Sequence, residues 1–116
     1  MEVFQAQIKH LEEISKLFDR YRVFYKASSD PDAARTFLQE RFQNGDSIIF
    51  AVRHDRKIVG FTQLYPSFSS VSMKRIWILN DLFVEPTDRQ KGRNFTTIPY
   101  GYSGWQRKIA QLDIAW

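Results

Sequence analysis

Two polar side chains, Asn80 and Asp81, interrupt an otherwise apolar run from Ile76 to Val84. A buried carboxylate without partners costs about several kcal/mol, so the pair is expected either to line a cleft or to accept structural hydrogen bonds. Polar groups also commonly fix a bulge or a loop, so the residue types leave both interpretations open.

The next chemically suggestive stretch begins where this run ends. Leu82, Phe83 and Val84 lead through a turn into Arg89-Gln90-Lys91-Gly92. A glycine here would let the backbone approach a phosphate, and a following helix would present its N-terminus to that phosphate. Position 94 is Asn, where a second small residue would complete a glycine-rich loop. A basic turn with no ligand is the alternative.

Metal and thiol chemistry find little support in the composition. The chain has no cysteine, so disulfides, thiolate zinc sites and a cysteine nucleophile are excluded. Its two histidines, His10 and His54, have no second ligand at metal-binding spacing. We expect no metal site.

Length and charge point to one domain outside the membrane. The chain has 116 residues, enough to build one hydrophobic core, and a net charge of +4. Lys and Arg are scattered rather than gathered in one tract, so nucleic-acid binding is disfavoured. No apolar run reaches membrane-spanning length, and a cytoplasmic location is expected.

Hydrophobic periodicity predicts the order β-α-α-β-β-β. Strands are predicted at 3–6, 47–52, 58–65 and 73–84, with helices from about 11 to 25 and from Pro31 to Gly45. Asp30 is expected to cap the second helix, with Pro31 in its first turn. The serine-rich stretch from Pro66 to Ser70 is predicted to be a loop.

The last predicted strand carries apolar residues on both faces. Strict alternation places Ile76, Ile78, Leu82 and Val84 on one face and Trp77, Leu79 and Phe83 on the other. A strand covered on both sides is typical of the centre of a layered α/β domain.

This order of elements, together with RIWILNDLFVEPTDRQKG, resembles the N-terminal part of the Gcn5-related N-acetyltransferases, the GNAT superfamily. FTQLYPSFSS before the LNDLFV strand strengthens the similarity to small bacterial members. The resemblance covers residues 1–92. It implies a truncated GNAT fold of the α/β class with a mixed α+β sheet.

The resemblance also implies roles for particular residues. Acetyl-CoA would lie against the strand Leu82-Phe83-Val84 and the loop Arg89-Gln90-Lys91-Gly92-Arg93-Asn94. Several family members carry Glu at the position of Asn80, and Asn cannot accept a proton at neutral pH, so Asp81 is the local candidate for the base. Tyr25, Gln63, Tyr65 and Ser67 would line the acceptor pocket.

The chain departs from the family pattern after Gly92. A long helix is expected there, but Pro99 would cost it about 3 kcal/mol, and Gly101 and Gly104 roughly 1 kcal/mol each. We therefore treat 93–116 as a non-family tail, irregular apart from alternation over 110–116 that is compatible with a strand. A shifted reading frame near codon 92 is one explanation, and natural degeneration or deliberate truncation are the others.

Two functions follow from the resemblance. The first is transfer of acetyl from acetyl-CoA to a small amine, impaired by loss of the C-terminal half. The second is an inactive GNAT-like fragment with a structural or interaction role. A long apolar edge at 73–84 would invite pairing, so a homodimer is expected through that edge or through swapped tails.

Overall fold

The computed structural model describes residues 2–85. Its elements are β1 (Glu2–Gln5), a short 3-10 turn (Ile8–His10), α1 (Leu11–Phe24), α2 (Pro31–Asn44), β2 (Ile48–His54), β3 (Lys57–Ser69) and β4 (Lys74–Val84). The predicted order β-α-α-β-β-β is confirmed. Residues 86–116, which include the predicted phosphate loop, the tail and the strand proposed for 110–116, lie outside the described residues.

Local signals set the ends of α2. The Asp30 carboxylate accepts a hydrogen bond from Ala33 N at 3.1 Å, and Pro31 occupies the first helical position. Gly45 ends the helix with φ +62°, a left-handed conformation that glycine adopts without strain. Both predicted ends of this helix are confirmed.

A buried aspartate joins α1 to the start of α2. Asp19 accepts hydrogen bonds from Ser29 Oγ and from Asp30 N, both at 2.7 Å. The Ser29 hydroxyl, opposed by burial and helped by the Asp30 N–H, holds the pKa of the Asp19 carboxyl below its usual value. The connection between the helices is therefore held by a charged acceptor on α1.

The four strands form one sheet in the order β1-β2-β3-β4, and all three neighbouring pairs are antiparallel. Asp55 and Arg56 make the tight turn between β2 and β3, both with positive φ, as a two-residue hairpin turn requires. The strands predicted at 47–52 and 58–65 thus form an antiparallel hairpin. Within residues 2–85, β4 pairs with β3 alone, so this part of the chain does not give β4 the predicted central position.

Each face of the sheet carries its own apolar cluster. The cluster on the helix side joins α1 and α2 to sheet residues that include Ala51, Phe61 and Phe83. The cluster on the other face contains Phe50, Val52, Val59, Leu64 and Val84, and within residues 2–85 all its members come from strands. The helices thus cover one face, and the site described below lies on that face.

The predicted loop from Pro66 to Ser70 is wrong for most of its length. β3 continues to Ser69, with Pro66 opposite Trp77 and Ser69 opposite Lys74. Serine and proline are typical of loops, but pairing with β4 supplies the backbone partners that keep the segment extended. The turn between the strands is shorter than predicted and ends at Met73, whose φ is +55°.

The predicted face assignment of β4 is also wrong in part, because the strand contains a bulge. Gln63 lies opposite Asp81 and Leu64 opposite Leu79, which leaves Asn80 without a partner residue on β3. One extra residue reverses the alternation. Leu79 therefore packs in the same cluster as Leu82, opposite to Phe83.

Candidate active site

Asp81 lies on the helix side of β4 and is 7% exposed. Its Oδ1 accepts a hydrogen bond from the Tyr21 hydroxyl at 2.7 Å, and its Oδ2 accepts one from Gln63 Nε2 at 3.2 Å. The site is therefore assembled from α1, β3 and β4. No ion pair involves Asp81 within the described part of the chain.

The bulge at Asn80 brings the second polar residue of the strand to the same carboxylate. Asn80 Nδ2 donates to Asp81 Oδ1 at 3.1 Å, although Asn80 itself is exposed. The Thr62 hydroxyl donates to the backbone oxygen of Asp81 at 2.8 Å and holds the strand at the bulge. These contacts agree with the structural interpretation in that Asn80 and Asp81 stabilise a bulge. They agree with the cleft interpretation in that the Asp81 carboxylate lies next to an exposed side chain, that of Asn80.

Tyr21 belongs to the site, although the sequence predicts only that it lies in the first helix. Burial, followed by the hydrogen bond to Asp81 and the charge of that carboxylate, raises the pKa of the Tyr21 hydroxyl. Tyr21 thus remains a neutral donor well above its usual titration range. The available signal was chemical, because a Tyr in a buried stripe needs a polar partner for its hydroxyl.

Gln63 has one satisfied end and one unsatisfied end. The residue is fully buried, its Nε2 is bound to Asp81, and its Oε1 has no hydrogen-bond partner among residues 2–85. Rotating the amide by 180° would place Oε1 against the Asp81 carboxylate, so the carboxylate fixes the orientation. Gln63 thus holds a buried acceptor beside Asp81.

The other predicted pocket residues lie at different distances from this centre. Tyr25 is 65% exposed and its ring centroid is 5.1 Å from that of Tyr21. Burial raises the pKa of Tyr65 to about 12, and the Asp81 carboxylate adds to the effect. Ser67 pairs with Ile76 rather than with residues near Asp81, and four residues along a strand place it roughly 13 Å beyond Gln63. The structure groups Tyr25, Gln63 and Tyr65 around Asp81 but not Ser67.

Four neighbouring rings, which we call the aromatic rim, include the tyrosine that is bound to Asp81: Tyr21, Phe24, Tyr25 and Phe83. Phe24 lies 5.3 Å from Tyr25 and 6.0 Å from Phe83, and Tyr21 lies 5.7 Å from Phe83, measured between ring centroids. Phe24 is 54% exposed whereas Phe83 is buried. The rim therefore extends from the core to the surface.

The C-terminal end of β4 carries the predicted cofactor strand. Leu82 and Val84 lie on the strand-only face, and Phe83 on the helix face. A Cβ added at Gly60 would lie 3.0 Å from Phe83 O, so glycine permits the close approach of β3 and β4. Of the predicted cofactor residues, Arg89, Gln90, Lys91, Gly92, Arg93 and Asn94 lie outside the described residues.

Glu85, the last described residue, is buried and fixed. Its N–H donates to Val59 O at 2.8 Å, and its side chain forms an ion pair with Arg20 of α1. Glu85 therefore fixes the position of the chain at the end of β4, before the predicted phosphate loop.

A cavity of about 360 Å³ lies away from Asp81, between α1 and α2, and is lined by Phe18, Arg22, Ala33, Ala34 and Phe37. It is largely apolar and contains no predicted site residue. This cavity therefore does not coincide with the candidate site at Asp81. Among residues 2–85 there is no group of three or more potential metal ligands and no helix with the length and hydropathy of a membrane span.

The arrangement at Asp81 can hold a cation and accept a proton. The carboxylate accepts hydrogen bonds from three neutral donors, and no Lys, Arg or His of residues 2–85 forms an ion pair with it. A positively charged ligand would gain from a site of low exposure, where charge interactions are stronger than in water.

Comparison with known proteins identifies the fold. The chain is 50% identical over 92 residues, 79% of its length, to the uncharacterized N-acetyltransferase YhfO of Bacillus subtilis, of which the match covers 62%. A crystal structure of a probable acetyltransferase is 37% identical, with a TM-score of 0.76, over 95% of this chain and 74% of that one.

A predicted acetyltransferase of Clostridium acetobutylicum, crystallised with acetyl-CoA, shares the fold at 11% identity, with a TM-score of 0.69 over 98% of this chain and 76% of that one. No protein-family model matches the chain. The chain spans about three fifths of the length of the curated relatives it matches. Sequence identity and shared structure together show that the chain belongs to the GNAT superfamily of N-acetyltransferases.

Proposed function

We propose that the protein transfers an acetyl group from acetyl-CoA to the nitrogen of a small amine. The observation that carries the proposal is a low-exposure carboxylate, Asp81, beside a bulge in β4 of a GNAT fold. Bulges next to active sites often direct a side chain toward a ligand. The family relationship supplies the reaction type.

Asp81 is proposed to activate the amine. An ammonium has no free lone pair, so it must lose a proton before the nitrogen attacks the acetyl carbonyl. Asp81 would take that proton directly or through a water molecule. Asn80 has no basic group, and we assign it the lesser role of orienting Asp81 Oδ1, to which it donates at 3.1 Å.

Acetyl-CoA is proposed to lie along the end of β4. Leu82, Phe83 and Val84 would offer backbone groups to the pantetheine arm, and the loop at 89–94 would hold the pyrophosphate. The acetyl-CoA in the Clostridium neighbour supports the choice of cofactor. Tyr25, Gln63 and Tyr65 are proposed to face the acceptor, while the position of Ser67 gives it no contact with this centre.

One observation favours the alternative, an inactive GNAT-like structural unit. Three neutral donors, Tyr21, Gln63 and Asn80, already occupy the Asp81 carboxylate, as expected of a group that only stabilises a bulge. Impaired activity, the domain division at 92 and the reading-frame shift remain predictions, and comparison with the B. subtilis relative at equal concentration would measure the first.

A calorimetric titration with acetyl-CoA, followed by mass spectrometry of a mixture of amines, tests the proposal. Saturable binding and a product heavier by one acetyl group support transfer. Asp81→Asn should retain acetyl-CoA binding and lose transfer by about 100-fold or more. Failure of acetyl-CoA to bind at millimolar concentration would leave the structural alternative.

A cytoplasmic homodimer is also proposed. Within residues 2–85, β4 has one strand neighbour, and Ile78 on that strand is 43% exposed. Such an edge favours pairing with another strand. Light scattering coupled to gel filtration would detect the dimer, and a monomer at micromolar concentration would contradict it.

A further inference from the structure

We propose that Asp81, Gln63 and the aromatic rim bind the acceptor as a primary ammonium ion carried on an aromatic arm, that is, an arylalkylamine. This inference rests on the proposed function for its chemistry and adds the class of acceptor. Charge, hydrogen bonding and ring exposure each contribute to it separately.

Among residues 2–85, which hold 12 of the chain's 17 Lys and Arg, no cation lies within ion-pair distance of Asp81. By contrast, Glu85, which is equally buried, is paired with Arg20. Neutral donors satisfy the hydrogen-bonding capacity of a carboxylate without balancing its charge. A cationic ligand would supply that balance.

Gln63 Oε1 is the second observation. A buried acceptor without a partner costs about 1–3 kcal/mol and is rare in native structures. Its position is fixed because the other end of the same amide is bound to Asp81. A group bound to Asp81 that has further N–H donors can satisfy it, and a primary ammonium has three such hydrogens.

Asn80 provides a path for the ligand. It is the exposed member of the three donors to Asp81, and its 3.1 Å bond is longer than the 2.7 Å bond from Tyr21. An ammonium that displaces the Asn80 amide from Oδ1 replaces a neutral donor by a charged one. When Oδ1 then takes one N–H proton, the C–N skeleton is unchanged and the freed lone pair is available for acetyl transfer.

The aromatic rim accounts for the arm of the ligand. Tyr25 is 65% exposed and contacts Tyr21, whose hydroxyl is bound to Asp81. A ligand on Asp81 would therefore extend across an exposed aromatic surface. Rings near a cation contribute cation–π attraction, and rings near a flat apolar arm contribute stacking.

The test is a calorimetric titration of the whole chain at pH 7 with three probes: 2-phenylethylamine, its neutral analogue 2-phenylethanol, and n-butylamine. The charged aromatic probe should bind at least about tenfold more tightly than either of the others. Equal affinities, or no binding of the aromatic amine, would overturn the inference.

Matched variants separate the contributions. Asp81→Asn should weaken binding by about tenfold or more, whereas Asp19→Asn, at a buried aspartate whose hydrogen bonds go to Ser29 and Asp30, should not. Tyr25→Ala should weaken binding about threefold to tenfold, and Phe68→Ala, an exposed ring at the other end of the β3–β4 hairpin, should have no effect. Tyr25 is exposed, so that variant decides the matter even if Asp81→Asn does not fold.

The amine titration needs no cofactor, which keeps the two proposals distinguishable. Binding of the aromatic amine without any response to acetyl-CoA would reject acetyl transfer and retain the ammonium site. Acetylation of amines with no preference for an aromatic arm would support acetyl transfer and reject the arylalkylamine site.

Discussion

Replacing Tyr21 by Phe removes one hydroxyl from the centre of the site and leaves the ring in place. The lost hydrogen bond, 2.7 Å from the hydroxyl to Asp81 Oδ1, is made to an ionised acceptor of low exposure. Such bonds contribute about 1.5–3 kcal/mol. We expect Tyr21→Phe to lower the free energy of unfolding at pH 7 by that amount, a substantial part of the 5–15 kcal/mol typical of a domain.

The same substitution should change the dependence of stability on alkaline pH. The pKa of Tyr21 is raised in the folded protein, so between about pH 10 and that raised value the folded state retains a proton that the unfolded state releases. The stabilisation is complete below pH 10 and is lost as pH rises, at up to about 1.4 kcal/mol per pH unit. The difference in the free energy of unfolding between wild type and Tyr21→Phe should therefore become smaller above pH 10. Tyr65 is present in both proteins, so its titration does not affect this difference.

Urea denaturation at pH 7, 9, 10 and 11 measures both effects, provided that the wild type stays folded across the range. Tyr25→Phe is the matched control, because that hydroxyl makes no hydrogen bond in the described structure and the residue is 65% exposed. A loss at pH 7 no larger than that of Tyr25→Phe would show that the Tyr21–Asp81 bond does not stabilise the fold. A gap that stays constant from pH 9 to 11 would refute the titration argument.

Substitutions at three further positions test the framework of the site by urea denaturation. Gly60→Ala places a Cβ 3.0 Å from Phe83 O, so we expect a loss of about 1–3 kcal/mol and weaker acetyl-CoA binding, and an unchanged midpoint would contradict the close approach. Gly45→Ala meets no atom within 4 Å but must adopt φ +62°, so strain alone should cost about 1 kcal/mol. Asp30→Ala removes the cap of α2 and should cost about 0.5–2 kcal/mol, whereas Asp30→Ser should recover most of it.

Much of the fold could be predicted because its signals are local. Asp30-Pro31 and Gly45 mark the ends of α2 through capping chemistry that needs no distant partner. The order of strands and helices follows from hydrophobic periods of two and of 3.6 residues. The extension of β3 past Pro66 could not be predicted, because its backbone partners are on another strand.

The candidate site likewise contains residues that the sequence identifies and residues that only the folded structure identifies. Asp81 stood out as a carboxylate in an apolar run, and Gln63 and Tyr25 were named through the family resemblance. Tyr21 was not named as a site residue, because its partner lies 60 positions away in the sequence. The misplaced faces of β4 have a related cause, since the bulge at Asn80 depends on pairing with β3.

The sequence by itself determined the element order, the helix ends and the presence of an unusual carboxylate in an apolar strand, because each is encoded by neighbouring residues. Only the tertiary structure decided what surrounds that carboxylate: a tyrosine from α1, an amide from β3 and a bulge that turns Asp81 toward the helices. The physical reason is that a buried charge is stabilised by groups brought to it through packing, and packing joins positions that the sequence keeps apart.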